Sequence, residues 1–157
     1  MTPPKPRPLD EDEMQVWLAF LQVATLALDR LNRALADHDL TLDDYEILVW
    51  LSGAPERRMV MSELAEQVLM SKSRCTYRVD RLEAAGFVSR EPCPDDARRI
   101  WATLTPKGFR ALQQAWPTHL ASVREYVIDP VSERDLPALT RSLRAMIDAM
   151  GGRHYPV

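Results

Sequence analysis

Residues 61–105 read MSELAEQVLMSKSRCTYRVDRLEAAGFVSREPCPDDARRIWATLT. Their pattern is helix, turn, helix, then a two-stranded hairpin with a charged tip. Ser62 is the expected N-cap of the first helix, because its hydroxyl can accept from an orphan N–H of the opening turn. Glu63 follows, where a carboxylate favours the positive end of the helix dipole. Leu64, Ala65 and Val68 recur at helical spacing. Met70-Ser71 breaks that spacing, and Ser71 can cap a second helix from Lys72 to about Ala85. On it Cys75, Val79 and Leu82 fall at i, i+4 and i+7, which makes one apolar stripe. Gly86 ends the helix as a residue that accepts left-handed backbone. Phe87-Val88-Ser89-Arg90 is strand-like, and Pro92-Cys93-Pro94-Asp95-Asp96 is rich in turn formers. Arg99 to Leu104 then alternates as a half-exposed strand does, with Trp101 a bulky exception on the outer face.

The second helix carries Ser71, Lys72, Ser73, Arg74, Thr76, Tyr77, Arg78 and Arg81 off its apolar stripe. A helix fits the DNA major groove, and side chains of these types reach phosphates and base edges. Arg74 and Arg78 are one turn apart, and arginine suits the O6/N7 edge of guanine. Taken alone, this face fits a solvated amphipathic helix equally well. The hairpin decides. Arg98 and Arg99 follow its tip, where an arginine can enter a narrow minor groove. Asp96 can orient Arg98 through a charge-assisted bond, or the two form only a surface ion pair. The reading is a winged helix-turn-helix over 40–105 that binds double-stranded DNA.

Charge distribution agrees. The net charge of −3 by itself argues against nucleic acid. From Arg57 to Arg110, however, there are 11 Lys/Arg against 7 Asp/Glu, while the remainder holds 9 against 16. Basic charge is gathered where an operator-binding module needs it.

Around this module the chain reads as helices. Residues 1–9, rich in Pro, are expected to be a disordered arm. Asp10 to Glu13 starts a long amphipathic helix to about Ala36, with Trp17, Leu18, Leu21, Leu28, Leu31 and Leu35 at threes and fours. Thr41 caps the next helix, which Gly53-Ala54-Pro55 stops. Arg57 and Arg58 lie in a loop as candidate phosphate contacts, with a short strand after them pairing with the hairpin. Thr105-Pro106 opens a later helix, cap then first position, in which Pro117 should cause a kink. Ser132 to Asp135 caps a last helix striped by Leu136, Leu139, Leu143, Met146, Ile147 and Met150. Too much apolar surface results for a small winged domain to cover alone. Residues 10–38 and 106–151 are therefore expected to form a helical dimerisation region. The fold class is mainly α with a small β-wing.

The stretch resembles the MarR family of winged-helix regulators. The resemblance is carried by Ser62-Glu63-Leu64-Ala65, Val79-Asp80-Arg81-Leu82-Glu83, Gly86-Phe87-Val88, Asp96-x-Arg98, and Leu104-Thr105 followed by Gly108; it extends weakly from about Trp17 to Met150. It implies a homodimer on a palindromic operator, usually a repressor released by a small molecule or by oxidation. It also implies a ligand cleft between the dimer helices and the winged domain, which Trp17, Trp50 and Trp116 could line; a plain core role fits at least two of them as well. The thiol-sensing branch of the family carries its cysteine near the start of the first helix, and none stands there.

Other chemistry is thinly represented. His38, His119 and His154 are scattered without metal spacing and read as surface histidines. No phosphate loop or catalytic set is found, so neither an enzyme nor a cofactor is expected. Cys75 and Cys93 make no disulfide framework. Cys93 reads as an exposed inert thiol, the alternative being an oxidant sensor activated by nearby arginines. Another alternative is a winged module that binds protein rather than DNA. No apolar run reaches the roughly twenty residues of a membrane span, and a cytoplasmic location is expected.

Overall fold

The computed structural model describes residues 7–152. The expected arm lies outside them through residue 6, as does His154. The elements are α1 (Glu11–Ala36), α2 (Leu42–Gly53), β1 (Arg58–Val60), α3 (Met61–Gln67), α4 (Lys72–Ala84), β2 (Val88–Cys93), β3 (Asp96–Leu104), α5 (Pro106–Val123) and α6 (Leu136–Ala149). The three strands form one antiparallel sheet in the order β1-β3-β2. No described helix is long and apolar enough to cross a membrane.

Side-chain caps start most of these helices. Asp10 and Glu13 close a reciprocal capping box on α1, each carboxylate accepting the other's backbone N–H at 2.9 Å. Thr41 and Asp44 do the same for α2. Ser71 accepts from the Arg74 N–H at 3.2 Å, and Thr105 from the Gly108 N–H at 3.0 Å. Each satisfies a donor that the first helical turn leaves unpaired. Two expected caps are absent. The residue before α3 is Val60, not Ser62, and it gives no side-chain cap. The cause is β1, which pairs with β3 through Val60, so the helix begins at once and Ser62 lies inside its first turn. No side chain caps α6 either; the Ser132 carbonyl accepts from Asp135 and Leu136 instead.

The core centres on α2, whose Tyr45, Ile47, Leu48 and Leu51 are buried. It meets Leu64 and Ala65 of α3, Cys75, Val79 and Leu82 of α4, and Val88, Ala102 and Leu104 of the sheet. Helix α4 ends in a Schellman turn: Gly86 takes φ +76, its N–H donates to the Glu83 carbonyl, and Phe87 N–H donates to Leu82 at 2.8 Å. This links the motif's second helix directly to β2. The Thr105 hydroxyl donates to the Gly86 carbonyl at 2.7 Å, which ties the start of α5 to the same corner. A side chain at Gly108 would meet the Phe87 carbonyl oxygen at 2.1 Å, so glycine is required there.

The wing tip is shorter than its composition suggests. Only Pro94 and Asp95 form the turn, while Pro92, Cys93 and Asp96 belong to strands. A register shift between Pro92 and Cys93 breaks the alternation there, and Cys93 is buried at 7% exposure rather than presented to solvent. Pro117 lies within α5, which continues past it to Val123; a π-helical turn, Arg124–Ile128, follows.

The long helices leave much apolar surface uncovered. Only Leu35 of α1 is buried, while Val16, Trp17, Leu18, Val23 and Leu26 are exposed. Helix α6 buries none of its residues, and its Leu139, Leu143 and Met146 stand out from the chain.

Candidate nucleic-acid interface

Burial of Cys75, Val79 and Leu82 sets the rotation of α4 about its axis. Lys72, Ser73, Arg74, Thr76, Tyr77 and Arg81 are consequently exposed, with Ser71 at the helix entry. Two hydroxyls are spent locally: Ser71 caps the helix, and Thr76 donates to the Lys72 carbonyl at 2.9 Å. Lys72 and Arg81 make no ion pair among the described residues.

Arg78 differs from the expectation that it and Arg74 point outward alike. Its side chain is 19% exposed and lies 3.0 Å from Asp43 and 3.8 Å from Asp44 of α2. At about 100° per residue, Arg78 falls beside Leu82 at the edge of the buried stripe, so it inclines toward α2. Arg74 lies about 40° further round and is 58% exposed. It too reaches Asp43, with two bonds of 2.8 and 3.0 Å.

The wing arginines divide in the same way. Arg98 is 93% exposed, and its backbone N–H and Nε both donate to Asp96 Oδ1, at 3.1 and 3.2 Å. The Asp96–Arg98 contact read from the sequence is therefore formed. Arg99 instead reaches back to Glu63 of α3 at 2.9 Å. Arg90 holds the base of the wing to α4, through Glu83 at 2.6 Å and Asp80 at 2.7 Å. The hydrogen bond and charge of Arg90 keep the Glu83 carboxyl below its ordinary value. The sequence reading used Asp80 and Glu83 only as motif letters and gave Arg90 no such part. Opposite charges flanking the Gly86 turn were the available signal. Arg57 and Arg58, considered as phosphate contacts, stack over Phe109 at 3.9 Å and Trp101 at 4.9 Å. Cys93, read from the sequence as an exposed thiol, is buried, and Arg90, Arg98 and Arg99 near it in sequence are each paired with a carboxylate.

Behind the interface, a cleft of about 1320 Å³ separates α1 and α5 from α2 and the sheet. Trp50 and Trp116 line it, joined by Trp101, Tyr45 and His119. Trp17 does not: it is 48% exposed on α1 and stacks on Phe20, because, although it shares a helical face with the cleft-lining Leu28, it lies about 16 Å nearer the start of the helix. His119 is no surface histidine. Its ring packs 4.2 Å from that of Tyr45, and burial lowers its pKa. The same burial pushes the Tyr45 hydroxyl up to about 12. Tyr45 Oη, Trp101 Nε1 and His119 Nδ1 are buried without a hydrogen-bond partner. Among the described residues no three His, Cys, Asp or Glu are grouped to hold a metal.

A helix-turn-helix joined to a charged wing, with its polar face outward, defines a winged-helix DNA-binding protein. A family model of the MarR family matches residues 38–99. Over 130 residues the chain is 30% identical to the HTH-type transcriptional regulator PecS of Dickeya dadantii, covering 81% of this chain and 76% of that protein. AbsC, a MarR family transcriptional regulator from Streptomyces coelicolor, superposes with a TM-score of 0.88 at 37% identity, over 94% of this chain and 100% of that one. Sco3205, a MarR family regulator from the same organism solved in complex with DNA, gives a TM-score of 0.89 at 35% identity, over 93% and 92% of the two chains. The chain belongs to the MarR family: it is a DNA-binding transcriptional regulator, not an enzyme.

The Arg90–Glu83 bond has a pH signature. A carboxyl whose pKa is lowered by folding contributes stability that is complete above its ordinary value of 4.5 and fades as pH falls through the lowered one. Glu83→Gln should therefore lower the thermal midpoint at pH 7, and the difference from the parent should shrink below about pH 4.5. Midpoints measured from pH 7 to 3 check this.

Proposed function

We propose that the protein works as a homodimer on a pseudo-palindromic operator, as a repressor that a small aromatic or phenolic molecule releases. The observation that carries the reading is the unburied apolar surface of α1 and of α6. Exposed apolar surface on this scale is a liability for a lone chain, and a second copy related by a two-fold axis covers it. The same axis sets two α4 helices one DNA turn apart, the spacing of successive major grooves. The Streptomyces coelicolor relative solved with DNA supports duplex DNA as the partner. Residues 40–105 then form the reading unit, and 10–38 with 106–151 the scaffold.

On DNA, Lys72, Ser73, Tyr77 and Arg81 face the major groove and its phosphates, and Arg98 enters the minor groove. Arg99, held by Glu63, supports the wing. The cleft supports the effector: its walls are aromatic, it lies between scaffold and reading unit, and of the glutamates that border it Glu56 is paired with Arg58 and Glu63 with Arg99, which leaves Glu46 and no unpaired cation along its lining. That balance favours a neutral phenol over an aromatic carboxylate. Filling the cleft would couple the positions of α1 and α5 to those of α2 and β1.

Arg98→Ala should weaken binding to a duplex selected from random sequence by roughly 1–3 kcal/mol, read by fluorescence anisotropy. Unchanged affinity would remove the wing from the interface, and failure to select any duplex would favour a protein-binding winged module. Neutral phenols should raise the thermal midpoint and lower operator affinity in the same titration. Trp116→Ala should abolish both effects.

A further inference from the structure

Helix α2 turns one face to the aromatic cleft. Glu46, Val49, Trp50 and Gly53 follow one another along it at helical spacing, with Tyr45 beside them, and Trp101 and Trp116 line the cavity from β3 and α5. Glu46 is half-buried, and its carboxylate makes no ion pair or hydrogen bond among the described residues. Burial pushes that carboxyl above its ordinary value; Asp43, one turn back, adds to the rise and Arg74 opposes it. Those two neighbours are bound to each other at 2.8 and 3.0 Å, so they largely cancel and leave Glu46 uncompensated.

The other charges of the lining are matched. Glu56 is paired with Arg58, and Glu63 with Arg99 at 2.9 Å. The Arg58 guanidinium also lies 4.9 Å over the Trp101 ring, so one aromatic of the wall already carries a cation. His119 and Tyr45 add no positive charge: burial lowers the histidine's pKa and holds the tyrosine protonated, its hydroxyl raised to about 12. Aromatic rings attract a cation to their faces, tryptophan most strongly. A half-buried carboxylate costs free energy until a donor or an opposite charge meets it. A neutral hydroxyl can give Glu46 one hydrogen bond. An ammonium group gives a charge-assisted one and is drawn to the rings as well, whereas an aryl carboxylate is repelled.

Resting on the effector cleft proposed above, we infer that this site selects ligands by positive charge: its preferred occupant is an aromatic molecule bearing an ammonium group, received by Glu46 while the tryptophans take the ring. Neutral phenols rank below it, and aryl carboxylates last.

Isothermal titration calorimetry on the full chain at neutral pH tests the order with naphthylmethylammonium, naphthylmethanol and naphthoate, which share a ring and differ in charge. Naphthol serves as the neutral phenol, and methylammonium as a cation without a ring. The ring-bearing ammonium should bind roughly tenfold more tightly than the alcohol, the combined scale of a partly exposed ion pair and a cation–π contact, and naphthoate more weakly than either. Glu46→Gln keeps the shape and removes the charge; it should cost the ammonium about fivefold and leave the alcohol unchanged. Asp95→Asn, at the wing tip, removes an equal charge away from the cleft and should alter neither. The order in the parent stands or falls without reference to how well the Glu46 variant folds. Equal or tighter binding of the alcohol or naphthoate by the parent would overturn the inference. So would an ammonium advantage that Glu46→Gln leaves undiminished or that Asp95→Asn reduces equally, or methylammonium binding as tightly as the ring-bearing amine. In each of those cases naphthol binding would still uphold the effector cleft. A parent protein that binds none of these compounds, naphthol included, would overturn both.

Discussion

Packing of Cys75, Val79 and Leu82 against Leu48, Leu64 and Val88 is the constraint on which the rest depends. A helix has one rotation about its axis, and burying this stripe fixes it. Once it is fixed, Arg81 and Tyr77 must face outward, Arg78 must incline toward α2, and Glu83 must stand where β2 returns. The Schellman turn at Gly86 then delivers the chain into the wing at a set angle. Arg90 secures that angle with two carboxylates of α4. Reading helix and wing therefore move as one body, its shape set by apolar burial and its surface by charge.

Much of this was legible in the sequence because it is local. Caps at Asp10, Thr41, Ser71 and Thr105 each involve residues three positions apart. The apolar stripe of α4 and the glycine that ends it are likewise short-range signals. What escaped depends on distant partners. Asp43 lies 31 and 35 positions from the arginines it binds, and periodicity does not say which polar flank of a helix meets a neighbour. Ser62 failed as a cap because a strand pairing ended immediately before it. Cys93 was misplaced because the register shift in β2 leaves no mark in composition. Trp17 and Trp101 exchanged roles for a related reason: bulk marks a residue as able to line a cleft, but only the packing of α1 and β3 decides which one does.

The chain divides its surface by chemistry. Charge is concentrated on α4 and the wing, and paired carboxylates offset part of it, so the face is less basic than a count of arginines implies. Apolar surface is concentrated on α1 and α6, where water is a poor solvent for it. Between these two regions lies the aromatic cleft, bounded by α1 and α5 on one side and by α2 and β1 on the other. In the function proposed above, occupancy of this cleft would act on the spacing between the long helices and the winged unit.

Hydroxyl-radical footprinting of the purified protein on its selected duplex tests this account most directly. Two reading units on one two-fold scaffold should protect two clusters of sugars on one face of the helix, about 10 base pairs apart, with protection extending into the flanking minor grooves. A single protected cluster at saturating protein would contradict the paired scaffold and, with it, the division of labour between the apolar and charged surfaces.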